Sequence, residues 1–481
     1  MQQLSKPFAF FLAFLLSSAA HAQDTWSLER CIEYAKENNI TVKQAQASVR
    51  TALLSEKQAK ASRLPSVSAN ADVGEQFGRT IDPTTNQFST VATSFNSLGL
   101  SAGINIFSGG LINHSIKQAG WELLAAKADA EQLQNNLGLQ IASAYLGILL
   151  GEEQLDNAEK RIAQTQEQLN TTLKLIEAGT LPMADKFNIQ AQLAQGEQAA
   201  VQAQNSVELS YLNLKQLLQL EPDFDLQIER PEVPIPADAN PDALALLPVY
   251  ETAVNTQASI RSADFRVKSA QEGIAIAKSA YYPTVTAFAN LSSSYSSQAR
   301  DFSNPVLGSD VLGDPVVFNV NGVDVEIRQY GPSSITYPKL DYFDQIDQNF
   351  GQGIGASLNI PIYQNGRTRL SVERARLGVL TAQMQQVQTQ QTLKNDIQTS
   401  IANARAARLT LAAAQKTFDA MDIAYENTVK RHTLGTINTL DLTTARNNRD
   451  IAETDLTVAK YDYVFKLKIL DFYLGKPLTM N

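Results

Sequence analysis

Asn105-Ile106-Phe107-Ser108-Gly109-Gly110 closes one alternating stretch of this chain, and Ile360-Pro361-Ile362-Tyr363-Gln364-Asn365-Gly366 closes another. Before the first exit, Leu98, Leu100, Ala102, Ile104 and Ile106 alternate with Ser97, Gly99, Ser101, Gly103 and Asn105. Before the second, Ile354, Ala356, Leu358, Ile360 and Ile362 stand opposite Gly351, Gly353, Gly355, Ser357 and Asn359. A period of two, with one apolar and one polar face, marks a strand, and the glycines mark where it stops. Each strand has an upstream companion, one built on Val67, Ala69, Ala71 and Val73, the other on Val285, Ala287, Ala289 and Leu291. Four strands are expected, at 64–77, 95–107, 283–295 and 350–363.

The two halves of the sequence match. Gly179-Thr180-Leu181 followed by Asp185 recurs 256 residues later as Gly435-Thr436-Ile437 followed by Asp441. The same offset carries Ser101, Ile104, Ile106 and Phe107 onto Ser357, Ile360, Ile362 and Tyr363, and Leu214 and Leu218 onto Leu470 and Leu474. Upstream, Val42, Ala45, Ala59-Lys60 and Pro65 match Ile260, Ala263, Ala277-Lys278 and Pro283 at an offset of 218. The change of offset is one insertion of 38 residues, in the connection 297–349 between the strands of the second half. That connection holds Asp301, Asp310, Asp314, Asp324, Asp341, Asp344 and Asp347 with Gly308, Gly313, Gly322 and Gly331, and reads as an external lid or plug. The chain therefore divides into a first repeat at 23–220, a connector at 221–243 with prolines at 222, 231, 234, 236 and 241, a second repeat at 244–474 and a tail at 475–481.

Long helices flank the strands. No proline falls between Leu111 and Glu177, while Leu133, Leu137, Ile141, Tyr145, Ile148, Leu155, Ile162, Leu169 and Leu173 recur mostly at helical spacing. One amphipathic helix of about 65 residues, roughly 100 Å long, accounts for this. Gly366 to His432 repeats it with Leu370, Leu377, Leu380, Met384, Val387, Leu393, Ile397, Ile401, Leu409, Phe418 and Ile423. Gly179 and Gly435 read as C-terminal caps, and Thr180 and Thr436 as candidate caps for the return helices. Helical hairpins at 111–219 and 366–474 follow, and such coiled hairpins need partners in a larger bundle or barrel.

No second sheet is available within the chain to cover the apolar strand faces, and closing a barrel takes about eight strands. Several copies must then pool their strands; three would give twelve, each of a length that suits a tilted membrane span. Phe77, Phe95, Phe107, Tyr295, Phe350 and Tyr363 lie at strand ends, where an aromatic girdle at the membrane interface belongs. The alternation by itself also fits a soluble sandwich. A soluble periplasmic coiled-coil scaffold explains the helices but leaves the strands without a role. A stand-alone porin explains the strands but has no use for such helices.

At the N-terminus Lys6, the apolar run Phe8 to Leu16 and Ala20-His21-Ala22 read as a signal peptide at 1–22, with maturation near Gln23. The run is too short to span a bilayer, and polar residues interrupt every later one. Cys31 is the one cysteine, so no intramolecular disulfide forms; after Glu29 and Arg30 it reads as a small buried helix residue rather than a lipid site. A net charge of −9 without a basic stripe argues against nucleic acid as a partner. His114 and His432 lack a ligand cluster, and no nucleophile or paired carboxylate can be placed in a pocket; no metal, cofactor or enzyme activity is expected.

Trp26-Ser27-Leu28-Glu29, Cys31-Ile32 and Asn38-Asn39 near the mature start, Leu64-Pro65 and Tyr282-Pro283 at strand entry, the two strand exits and the two Gly-Thr turns are carried in order and doubled. In this the chain resembles the TolC family of outer-membrane efflux and secretion channels, the outer membrane factors, over essentially its whole mature length. The resemblance implies an α+β membrane protein. Its homotrimer would place a twelve-stranded β-barrel in outer-membrane lipid, a helical α-barrel across the periplasm and a mixed equatorial belt near the connector. It implies a passive exit duct of a tripartite efflux pump or type I secretion system, docked to a periplasmic membrane-fusion adaptor and an inner-membrane transporter. Gly179, Thr180, Leu181, Gly435, Thr436 and Ile437 would form the tips that meet the adaptor. The family narrows its periplasmic mouth with aspartates on the second return helix, where Asp441 takes the first position, with Asp185 its partner in the first half. Thr444 stands at the second position and Ile437 where the family has an arginine, so hairpin packing rather than a salt-bridge lock is expected to hold the mouth shut. A carboxylate at either place is also what a helix start favours through its dipole.

Overall fold

The computed structural model describes residues 25–81, 86, 88–90, 92–231, 241 and 245–476. The expected signal peptide, connector residues 232–240 and 242–243 and tail residues 477–481 lie outside them. Contacts divide the described residues into a helical unit, within Met1–Ser55, Ala119–Ala270 and Leu377–Asn481, and a sheet unit, within Glu56–Gln118 and Gln271–Arg376.

The helices come in matched sets. α1 (Leu28–Asn38) and α2 (Ile40–Ala61) have 11 and 22 residues, as do α5 (Leu246–Thr256) and α6 (Ala258–Ser279). α3 (Leu111–Glu177) and α8 (Arg367–Thr433) have 67 each, and their return helices α4 (Met183–Leu218) and α9 (Thr439–Tyr473) have 36 and 35. Among the described residues no helix is long and apolar enough to cross a membrane.

Two apolar clusters hold the helical unit. Cys31, Ala35, Val42, Leu137, Ile141, Tyr145, Ile148 and Leu214 are buried in the first. Their counterparts at the sequence offsets, Val249, Ala253, Ile260, Leu393, Ile397, Ile401, Ala404 and Leu470, are buried in the second. Each large side chain so buried stabilises by about 1.5–3 kcal/mol. Where the second cluster has Ile401, the first has Tyr145, whose hydroxyl donates to the carbonyls of Glu229 (2.7 Å) and Trp26 (3.1 Å). The connector is thus less irregular than its prolines suggest: Ile228 bridges Trp26 in parallel, and Leu226 and Ile228 join the first cluster. Burial pushes the Cys31 thiol up to about 12.

The sheet unit holds four antiparallel strands, β1 (Ser66–Gln76), β4 (Thr93–Ser108), β5 (Thr284–Ser296) and β12 (Gly351–Asn359), in the order β1-β4-β5-β12. Between β1 and β4 lies a short pair, β2 (Thr80–Ile81) and β3 (Phe88–Ser89). The register lines Val67, Leu100, Leu291 and Ile354 along one face with Val73, Leu98 and Leu358. All seven are exposed, Ile354 at 90%. β1 and β12 end the order with open edges. The fourth strand stops at Asn359 instead of running to 363, because Pro361 has no N–H to donate and disfavours a regular turn of chain before it.

Two aromatics depart from the simple alternation. A bulge between Asn105 and Phe107 shifts the register, so that Phe107 pairs with Val285 and joins the apolar face. Phe95, expected with the interface aromatics, has the parity of Ser97 and Gly99 and lies on the polar face, paired with Gly74, where an added Cβ would sit 2.8 Å from its ring. Tyr295 pairs with Asn96 on the apolar face and packs against Tyr342, the ring centroids 5.0 Å apart and the planes tilted by 50°. Phe77, Phe350 and Tyr363 lie just beyond strand ends and are exposed.

The long connection between β5 and β12 is ordered into nested antiparallel pairs: β6 (Val306–Leu307) with β11 (Ile335–Thr336), β7 (Asp310–Leu312) with β10 (Tyr330–Pro332), and β8 (Val316–Val320) with β9 (Val323–Ile327). Asn321 and Gly322 turn the tip with φ of 58° and 85°, the positive values that a tight hairpin turn demands. A short helix, α7 (Tyr342–Gln348), pins its base: buried Gln345 accepts from the Ser296 N–H at 2.9 Å, and Ser293 donates to the Ile346 carbonyl at 2.6 Å.

Both strand exits need two successive left-handed residues, Gly109 and Gly110 (φ 62° and 87°) and Asn365 and Gly366 (φ 50° and 74°). Asparagine tolerates that region, which is why it can stand in for glycine in the second copy. At Gly109 there is also no room, since a Cβ would come within 2.6 Å of the Ser279 carbonyl oxygen, whereas Gly179 (φ 73°) faces open space. Gly179→Ala should therefore cost about 1 kcal/mol from backbone strain alone, and Gly109→Ala at least twice that. Thermal unfolding in detergent checks the order; equal losses would show that the crowding at Gly109 relaxes freely.

Candidate functional site at the helical hairpin tips

The two hairpin tips are built by one device. In the first, the Gly179 N–H donates to Ile176 at 2.9 Å and the Thr180 N–H to Leu175 at 2.9 Å; in the second, Gly435 donates to His432 at 2.9 Å and Thr436 to Arg431 at 3.0 Å. This pair of bonds around a left-handed glycine satisfies carbonyls that the ending helix would otherwise leave open. The threonines act backwards rather than forwards. Thr180 and Thr436 donate their hydroxyls to the carbonyls of Leu175 (2.8 Å) and Arg431 (2.9 Å), tightening the end of the outgoing helix instead of capping the return one. Their position, one residue past the glycine, brings the hydroxyl back over the last turn.

The return helices start differently. α9 is capped by Asn438, whose side-chain oxygen accepts from the Asp441 N–H at 2.8 Å. α4 starts after Pro182 with no side-chain cap. Asp185 and Asp441 thus both sit in a first helical turn, where the helix dipole favours their charge. Asp441 and Thr444 are exposed, whereas Asp185, Leu181 and Ile437 are half-buried. Around them Met183, Phe187, Leu434 and Leu440 present exposed apolar side chains.

About two turns into α9 begins a polar network that residue-by-residue reading had not singled out. The buried Arg446 guanidinium donates to Gln164 and Gln168 of α3, both at 2.8 Å. Arg161 of α3 donates to the Asp450 carbonyl at 2.5 Å and to Thr454 at 2.7 Å, and faces the Asp450 carboxylate at 3.5 Å. Arg449 links that same Asp450 (3.4 Å) to Glu453 (2.8 Å) and to Asp422 of α8 (3.1 Å), with its guanidinium over the Phe418 ring. Three helices from both hairpins are tied together. Ile437 supplies no arginine at the turn, and three arginines deeper in the helices make the polar ties between them. The spacing of Arg446, Asp450 and Thr454 on one helix was a readable signal, but their partners on α3 lie 278 to 293 residues away in sequence. Among the described residues no group of three or more His, Cys, Asp or Glu side chains is placed to hold a metal ion.

Two long helical hairpins with matched glycine tips, joined to an open four-stranded sheet with a bare apolar face, define the class as that of the outer-membrane channels. The sequence profile of the outer membrane efflux protein family matches residues 31–219 and 249–476. The chain belongs to that family, a family of channels, and its place is the cell outer membrane. It is 24% identical over 219 residues to the outer membrane protein TolC of Escherichia coli, an alignment that spans only 44% of each chain. It is 21% identical over 432 residues to the outer membrane efflux protein BepC of Brucella suis, spanning 89% of this chain and 81% of that one. In fold it is similar to the outer membrane protein VceC of Vibrio cholerae, with a TM-score of 0.72 at 18% identity over 94% of this chain and 96% of that one.

Replacing Asn438 by Ala removes the cap of α9, a loss of about 1 kcal/mol. Hydrogen exchange at the Asp441 amide and its neighbours in that turn should accelerate roughly fivefold, while the first turn of α4, which has no such cap, stays as it was. An unchanged rate at Asp441 would show that Asn438 is not what orders this tip.

Proposed function

We propose that this protein is the passive exit duct of a tripartite efflux pump or type I secretion system, assembled as a homotrimer. The observation that carries the proposal is the sheet: four strands in sequential order, two open edges and one uncovered apolar face. Twelve pooled strands remove every open edge and give the apolar face to lipid, which is the arrangement that a membrane demands of strands. On this reading the two halves, 23–220 and 244–474, are structural repeats that contribute two strands and one hairpin each. Six hairpins form an α-barrel across the periplasm, and the connector contributes to an equatorial belt. Phe77, Phe107, Tyr295, Phe350 and Tyr363 serve the barrel–membrane interface, whereas Phe95 faces the lumen.

The hairpin tips Gly179-Thr180-Leu181 and Gly435-Thr436-Ile437, with the exposed Leu434, Leu440, Met183 and Phe187 beside them, offer an apolar rim to a periplasmic membrane-fusion adaptor. The adaptor in turn joins the duct to an inner-membrane transporter, which supplies the energy. No bond is made or broken by the duct itself. Three copies of Asp441 face one another around the mouth, so that their shared field attracts cations, with Asp185 the second gate candidate.

Asp441→Asn should weaken cation preference and divalent block from the periplasmic side in planar bilayers, while resting conductance stays low. Asp450→Ala, which removes the buried carboxylate shared by the half-buried guanidinium groups of Arg161 and Arg449, should instead raise resting conductance, since the two cations then face each other without it and keep only their remaining partners. Unchanged block in Asp441→Asn would remove that residue from the gate, and an unchanged closed state in Asp450→Ala would return the closure to packing.

The arm between β5 and β12 leaves the sheet at the end away from the helix-side ends, where Ser108 pairs with Thr284 and Thr284 with Asn359. It is extracellular on this reading. An epitope inserted near Gly313 should bind antibody on intact cells; antibody access only after the outer membrane is permeabilised would invert the topology.

A further inference from the structure

The arm between β5 and β12 has a face that a bare duct does not use. In β8 and β9, Val316 pairs with Ile327, Phe318 with Val325 and Val320 with Val323. Alternation gathers these six on one side, and leaves Val317, Asn319, Asp324 and Glu326 on the other. The six are 43% to 65% exposed. A two-stranded hairpin is marginal on its own unless something packs on its apolar side.

We propose that the apolar faces of three such arms, one from each copy, pack on one another over the outer mouth and cap it. The proposal rests on the trimeric duct reading. Reach favours a second copy as the occupant: twelve strands about 4.8 Å apart and tilted by about 40° enclose a barrel roughly 12 Å in radius. The chain from Asp310 to Val320 extends about 35 Å at 3.3 Å per residue, so arms rooted on one rim meet at the axis. The root supports this too, since the arm is anchored through α7 to the rim end of β5 and enters β12, the open edge that the next copy would join. Charge disfavours the surrounding lipid surface. Between Val306 and Thr336 the arm carries Asp310, Asp314, Asp324 and Glu326 against the single cation Arg328, and anionic headgroups repel such a segment.

Cys31 is fully buried, with its thiol pushed up to about 12, so an introduced cysteine reports alone. Phe318→Cys and, as a second variant, Val325→Cys place a thiol on the apolar face, and Asn319→Cys places one on the polar face. Intact cells oxidised with copper phenanthroline should show cross-linked dimers for both apolar-face variants, at least tenfold above Asn319→Cys, with the heat-sensitive trimer band intact. If the trimer is present but neither variant cross-links, and both react with a membrane-impermeant maleimide as fast as Asn319→Cys, the face is bare and the cap is overturned while the duct stands. Protection from that reagent together with labelling by a lipid-soluble maleimide would place the face on the membrane, and would overturn the cap equally. Absence of a heat-sensitive trimer from membranes carrying the unsubstituted protein would sink the duct reading itself.

Discussion

An apolar sheet face that the chain cannot cover is the constraint on which the rest of this protein depends. Val67, Val73, Leu98, Leu100, Leu291, Ile354 and Leu358 share one side of four strands and all remain exposed. At about 25 cal/mol for each Å² of apolar surface left in water, that face would be costly on a soluble protein. The edges add to the demand, because β1 and β12 each present a row of unsatisfied backbone groups. A hydrocarbon environment answers the first problem, and only closure with further strands answers the second. On the proposed reading both are met by one act of assembly, so folding of the sheet and insertion into the membrane are the same event.

The helices obey a second constraint, which is that every long element must be turned round without leaving its terminal carbonyls open. At the ends of the long helices the chain repeats one solution: a left-handed residue whose neighbour bonds back into the ending helix. Gly179 and Gly435 do this at the tips and Gln219 does it after α4, where φ is 60°. The strand exits use the paired version, Gly109-Gly110 and Asn365-Gly366. These positions tolerate few residue types, so the match between the halves is sharpest there and weak along the helix surfaces, where many polar residues serve.

What could be read from the sequence follows from that difference. Alternation located all four strands within a few residues, and proline-free apolar periodicity located both long helices, because those signals are local and repeat along the element. Three features escaped because each depends on a partner remote in sequence or on a local irregularity. The bulge at Asn105 to Phe107 moves Phe107 to the apolar face, and alternation cannot anticipate a skipped residue. The hydroxyls of Thr180 and Thr436 could accept from an N–H of the return helix or donate to a carbonyl of the outgoing one, and the backward bond won because the preceding glycine already turns the chain over it. The tie of Arg446 to Gln164 and Gln168 joins opposite halves of the chain. The hairpin at Asn321-Gly322 is a different kind of miss: an Asn-Gly pair between valine-rich runs is a recognised hairpin signal, but the surrounding aspartates and glycines point only to an external lid or plug and not to its paired strands.

The distribution of side chains along the hairpins bears on how a mouth built from them could open. Near the connector, α3 buries Leu137, Ile141, Tyr145, Leu146, Ile148 and Leu149 within little more than three turns, and α9 buries Tyr463, Val464, Leu467 and Leu470. Towards the tips the buried set thins to Ala158, Thr165, Leu169 and Thr172 on α3 and to Thr439, Leu442, Arg446 and Asp450 on α9. Apolar packing is lost almost in proportion to exposed area, so parting the connector-side half would cost many kcal/mol. Guanidinium and carboxylate groups regain water when they separate, and the net cost of exchanging such bonds for hydration is only about 1–3 kcal/mol apiece. The tip halves are therefore the segments that can move apart while the core stays closed, as local opening in proteins follows low apolar contact and solvated hydrogen bonds. An arginine at the turn would have placed the tie at the far end of the lever; with Ile437 there, the ties at Arg446, Arg449 and Asp450 sit further in. On the proposed reading they hold the hairpins at the boundary between the soft segment and the packed one, so their release would free the whole tip at once.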